Sequence, residues 1–167
     1  MNTKQNSNFD IGEIVVYPKH GVGEIVKVET MEISSIKTKF YIVKMEQGKL
    51  TIRVPLDKQK EVGLRKICSK KTINQVFEIL KLKPKIRRIM WSRRAQEYEA
   101  KIFSGDPVRI SEVVRDLFRK NSQAEQSYSE RQMFQVAIER LAREVAAVEK
   151  TDYFQSTEKI EQILNKK

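Results

Sequence analysis

The stretch VGLRKICSKKTINQVFEIL, residues 62–80, is where the chain changes its rhythm. Before it, β-branched and aromatic residues recur with partial period-two alternation; after Cys68, the residues Ile73, Val76, Phe77 and Leu80 recur at helical spacing behind the capping candidates Ser69 and Thr72. The two periods place side chains on different faces and belong to different elements. A boundary between a β domain and an α domain therefore falls at residues 65–70, giving a polar, disordered N-terminal tail (1–9), a β domain (10–67) and an α-helical domain (68–167).

Upstream of the switch, strands are expected at Gly12–Tyr17, Glu24–Glu29, Phe40–Met45 and Leu50–Val54, with a fifth at Val62–Ile67. Pro18–Gly23 and Glu46–Lys49 supply turn chemistry, and Pro55 ends the fourth run because it cannot donate to a ladder. Short strands and tight turns within about 60 residues predict a small, strongly bent antiparallel barrel of SH3 or Tudor type. Downstream, Asp106 is placed to cap and Pro107 to open a helix that buries Val108, Val113, Val114, Leu117 and Phe118. A longer amphipathic helix starts at Ser129, with Phe134, Ala137, Ile138, Leu141, Val145 and Val148 on one face. A last one starts at Ser156.

The chain has 167 residues and a net charge of +11 from 33 Lys+Arg and 22 Asp+Glu. Residues 68–120 hold 14 basic and 6 acidic groups, so the excess is concentrated in the middle. Its densest part, Lys81–Arg94, carries Lys81, Lys83, Lys85, Arg87, Arg88, Arg93 and Arg94 with no acid among them. Like charges at that density repel, and a polyanion relieves the repulsion by replacing counterions, so nucleic acid is the expected partner. A solvated basic face with no partner is the alternative.

Chemistry of other kinds finds little support. One cysteine, Cys68, and one histidine, His20, exclude an internal disulfide and disfavour zinc, and no cofactor or metal is expected. There is no Walker-type loop, Gly-x-Gly-x-x-Gly fingerprint or His-Glu-x-x-His pair. A nucleophile beside a base is not in evidence, so the chain reads as a binding protein rather than an enzyme. No apolar run approaches the roughly 20 residues of a membrane span, and a cytoplasmic monomer without membrane association is expected.

Trp91, the only tryptophan, follows Arg87-Arg88-Ile89-Met90 and precedes Ser92-Arg93-Arg94. The residues alone support two placements. Trp91, Ala95, Tyr98 and Ile102 share one helical face, as a core stripe does, but Ile86, Ile89 and Met90 lie on nearly the opposite one, which implies a break near Trp91. With Ser92 as N-cap, the staple partner of Trp91 would be Gln96, which is polar, leaving the indole exposed beside several guanidinium groups. An apolar plate among phosphate-binding arginines is what a minor-groove wedge requires.

Several ordered stretches resemble the CarD-type bacterial transcription regulators, also called CdnL-like: Val16–Gly23 (VYPKHGVG), Leu50–Pro55 (LTIRVP), Val62–Arg65, Trp91–Arg94 (WSRR), Ser104–Asp106, and Glu112–Lys120 (EVVRDLFRK). The resemblance runs from about Phe9 to Leu164. It implies a Tudor-like domain that docks on the β subunit of bacterial RNA polymerase and a helical domain that contacts promoter DNA, without sequence readout, at the upstream edge of the melted bubble. It further implies that Trp91 is the wedge, that Ser92 caps or orients beside it, and that Arg93, Arg94, Lys120 and Arg131 contact phosphates; Arg87 and Arg88 are expected to join them as part of the basic Lys81–Arg94 stretch. Arg53 matches the basic residue of the polymerase-binding strand. Met31 stands where some relatives carry a basic docking residue and Gln96 where some carry a lysine, so polymerase contacts here are expected to be less electrostatic. The rival expectation from another class is an RNA-binding module of translation or RNA processing.

Overall fold

A computed structural model describes residues 9–120 and 126–167. Most of the expected tail lies outside the described residues. Its last residue, Phe9, is buried and meets Tyr41 edge-on, with ring centroids 5.6 Å apart, because a large apolar ring next to a strand has a core to enter. The chain divides between Ile67 and Cys68 into two compact units.

The first unit is a five-stranded antiparallel sheet: β1 (Ile14–Tyr17), β2 (Gly21–Ile33), β3 (Ile36–Met45), β4 (Thr51–Pro55) and β5 (Arg65–Lys66), ordered β4-β3-β2-β1-β5. Its ladder ends at β4 and β5, so the Tudor-like sheet bends around its core without closing by hydrogen bonds. Val15, Ile25, Tyr41, Val43, Met45 and Val54 form that core with Phe9, Leu56 and Leu64. Gly23 is required where β2 crosses β3, since a Cβ there would lie 2.9 Å from Met45 Sδ and Val43 Cγ1 and 3.0 Å from the Lys44 carbonyl.

β2 carries a bulge. Its register on β3 jumps from Ile25↔Val43 to Lys27↔Ile42, which leaves Val26 unpaired and turns Lys27, Glu29, Met31 and Ile33 to the face opposite the core. The β2–β3 hairpin is longer than the sequence pattern predicts, continuing past Glu29 and Phe40 to Ile33 and Ile36. Its two-residue loop is Ser34-Ser35, both at positive φ (50° and 65°). A primed turn normally announces itself with Asn or Gly, so this one leaves little trace in the sequence.

The second unit contains α1 (Lys70–Lys81), α2 (Trp91–Phe103), α3 (Pro107–Leu117), α4 (Tyr128–Glu149) and α5 (Tyr153–Asn165). Ser69 caps α1, and Asp106 caps α3 ahead of Pro107, as expected. Ser127 caps α4 by accepting from the Glu130 amide. α5 starts at Tyr153 behind an Asp152/Gln155 capping box, not at Ser156, which is buried inside the helix. Ile73, Leu80, Tyr98, Ile102, Val113, Leu117, Ile138, Leu141, Val145, Ile160 and Leu164 bring all five helices to one core.

Gly23→Ala will lower the stability of the β unit by about 1–3 kcal/mol through overpacking against β3. Urea denaturation with amide exchange on the β2 and β3 amides will read the loss.

Candidate functional site

The basic stretch between α1 and α2 has no regular secondary structure. Pro84 lacks an amide donor and the like charges oppose compaction, so the segment needs an external anchor. That anchor is Asp116 of α3. Its Oδ1 accepts from the Lys85 amide at 2.9 Å and from Arg115 Nε at 2.8 Å. The Arg115 and Asp116 side chains are only 6% and 5% exposed. A buried carboxylate needs such partners, and removing it would strand the buried guanidinium. In the sequence the one mark of this role is that Asp116 is an acid within the apolar Val113–Leu117 run.

The segment delivers Trp91 to the first position of α2. The N-cap is Met90, whose side chain makes no capping hydrogen bond, while the Arg93 and Arg94 amides both bond to its carbonyl at 3.1 Å. Ser92 is thus inside the helix and does not cap it, a correction to the expected cap. The helix starts two residues earlier than a Ser92 cap would allow because Trp91, Tyr98 and Ile102 share the face that reaches the core. The hydroxyl-bearing residue is exposed.

Trp91 combines the two placements that the residues left open. It is half-buried and packs on the helical core, its ring centroid 6.2 Å from that of Tyr98. The Arg94 guanidinium lies 5.4 Å from the Trp91 centroid and 5.7 Å from the Tyr98 centroid, with Nη2 3.4 Å from Tyr98 Oη and a buried Nε that has no hydrogen-bond partner. Arg94 therefore clamps the indole by a cation–π contact instead of standing free. Part of the indole stays open to solvent.

The remaining cations differ in availability. Arg87 pairs with Glu97 of α2 at 2.6 Å, but both are exposed, so the pair contributes at most about 1 kcal/mol and can be exchanged for a phosphate. Among the described residues, Arg88, Arg93 and Arg131 are exposed and have no acidic partner. Lys120 hydrogen-bonds the Lys167 carbonyl, and Arg131 stands on the first turns of α4. The first turn of α2 holds no acid. Free amides at that end, with Arg93 beside them, favour an anion.

In the β unit, Lys27, Ile42 and Arg53 are directly opposed across β2, β3 and β4 and so share one face. Met31, 39% exposed, lies on the same face two positions beyond Glu29. The two expected docking residues, Arg53 and Met31, are thus brought to one side of the sheet, joined there by exposed Ile33 and Ile36 and half-buried Phe40. Glu29 sits among the cations, 2.6 Å from Lys27 Nζ and 3.7 Å from Arg53 Nε. The hydrogen bond from Lys27 chiefly, together with the charges of Lys27 and Arg53, holds the Glu29 carboxyl below the usual carboxylate range.

Comparison with known proteins places this geometry. Residues 75–164 match the family model "CarD, C-terminal domain" and residues 9–68 match the "CarD-like/TRCF RID domain". The chain belongs to the CarD family. A relative, "Putative transcription factor YdeB" of Bacillus subtilis (strain 168), is 29% identical over 140 residues, covering 84% of this chain and 92% of its own. A solved structure, "CdnLNt from Myxoccoccus xanthus", is 34% identical with a TM-score of 0.33, covering 42% of this CarD chain and 93% of its own. The two family models and the YdeB relative point to a transcription regulator. Among the described residues, no helix of this CarD protein is long and apolar enough to cross a membrane, and no His, Cys, Asp or Glu cluster could hold a metal.

Asp116→Ala will destabilise the helical unit by about 3–5 kcal/mol and speed exchange of the Lys85 amide; denaturant unfolding and amide exchange read the two effects. The Glu29 carboxyl will titrate below its ordinary range, and Lys27→Met will move its midpoint back up. The stabilising contacts of the carboxylate are present above that range and are lost as pH falls through the depressed midpoint, which NMR titration of the side-chain carboxyl follows.

Proposed function

We propose that this CarD-family protein binds the β subunit of bacterial RNA polymerase through the Arg53–Met31 face of its sheet and stabilises the open promoter complex through residues 87–94. The observation that carries this reading is the half-open indole of Trp91, clamped by Arg94 and Tyr98 and flanked by exposed, unpaired Arg88 and Arg93. Arg88 and Arg93 hold phosphates, with Arg87 joining once it leaves Glu97, and Lys120, just past α3, and Arg131 of α4 add contacts. Trp91 enters the minor groove where duplex meets bubble, so re-pairing must expel the indole and rebuild the stack. An apolar plate needs no sequence readout, since polymerase with its sigma factor has already selected the promoter. On the sheet face, Arg53 offers a guanidinium fork to a polymerase carboxylate, while Met31, Ile33 and Ile36 supply soft apolar area. Such a protein works as a monomer in the bacterial cytoplasm, at the nucleoid.

The test is the half-life of an open promoter complex. The protein will lengthen it, and Trp91→Ala will lose about tenfold, the equivalent of ~1.4 kcal/mol, while still binding polymerase. Arg53→Glu will lose polymerase binding. A half-life that the unmodified protein does not change overturns the proposal, and tight RNA binding without polymerase would then favour the RNA-binding module.

A further inference from the structure

We infer that Met90 is a second apolar contact at the duplex–bubble junction, placed ahead of the indole; this rests on the reading of residues 87–94 as the DNA-contacting segment. Three observations converge on it. Met90 is 74% exposed, more than any other large apolar residue from Leu82 to Phe103, and lies in the chain between exposed Arg88 and exposed Ser92 and Arg93. As the N-cap of α2 it is the last residue before the helix, in extended backbone (φ −56°, ψ 142°), with a side chain that caps nothing. And Trp91, next to it, is committed on one side to Tyr98 and Arg94, so its indole is a plate of fixed attitude and limited reach.

These facts divide the work at a base step. A rigid plate held by a cation–π clamp can lie against an already opened step, but it adapts poorly to the varied geometry of junctions in different sequences. An unbranched thioether with three rotatable bonds and a polarisable sulfur adapts well, and Met is among the side chains that can wedge between base steps. Exposing it to water in the free protein is unfavourable, and that exposure is relieved only when an apolar surface covers it. A base face is such a surface. Arg88 and Arg93, the exposed cations assigned to phosphates, flank Met90 in the chain and keep it close to the backbone they hold. Leu82 and Ile86, 49% and 44% exposed in the same segment, are less open and further from the start of α2.

The experiment compares Met90→Gln, which keeps side-chain length but is polar, with Met90→Leu, which keeps apolar volume. Each is assayed as full chain with polymerase for open-complex half-life and for fluorescence of 2-aminopurine placed at the upstream junction. Met90→Gln will shorten the half-life extension about three- to tenfold and lower the 2-aminopurine signal, whereas Met90→Leu will stay near the parent value. Both will melt at the parent temperature, because the residue is exposed. If Met90→Gln matches the parent while Trp91→Ala is impaired, the wedge stands and this inference falls. If Met90→Leu and Met90→Gln are equally impaired, the position does not act as an apolar contact and the inference also falls. If the unmodified protein leaves the half-life unchanged, the underlying reading fails and takes this inference with it.

Discussion

Asp116 is the pivot of the helical unit. One oxygen of its carboxylate takes the Arg115 guanidinium and the Lys85 amide together, at the side of a mainly apolar core. A chain segment loaded with positive charge cannot find its own path by burial, because nothing in it except scattered Leu, Ile and Met side chains favours the interior. The carboxylate supplies the missing directional interaction. Lose it and Lys85 is free, the run from Leu82 to Met90 has no fixed course, and the entry angle of the chain into α2 is undetermined.

From that anchor the electrostatics follow a gradient of commitment. Arg115 is fully consumed by the fold, Arg94 is consumed by the indole and Tyr98, Arg87 is loosely held by Glu97, and Arg88 and Arg93 are unclaimed. The β unit repeats the middle term of this series, with Glu29 loosely holding Arg53 at 3.7 Å while Lys27 holds Glu29 more closely. A guanidinium kept near a weak internal partner must exchange it for a better one on binding, so it discriminates against partners that cannot better Glu29 or Glu97.

The class of fold was legible because both periodicities are strong on either side of Cys68, and the caps at Ser69 and Asp106 carry their signals locally. The hairpin end was not legible, because Ser34-Ser35 adopts positive φ without Gly or Asn and the pairing of β2 with β3 sustains the turn from outside it. The start of α5 at Tyr153 is not legible from periodicity, because the apolar face that marks the helix, Ile160, Ile163 and Leu164, begins two turns later, although Asp152 and Gln155 spell a capping box. At the site, the residue types were readable and their states were not. Only tertiary packing separates the clamped Arg94 from the free Arg93 next to it, and only packing moves the N-cap of α2 from Ser92 to Met90, since the face that reaches the core decides where the helix begins.

The single tryptophan has an optical consequence. With no other indole in the chain, all emission excited at the red edge of the absorption band arises from the rim of α2. The Tyr98 ring at 6.2 Å lies well within the range for energy transfer to it, and the Arg94 cation over its face tunes the colour of that emission. The protein therefore contains its own chromophore at the place of interest, and covering, tilting or freeing that ring can be followed in solution without attaching any label.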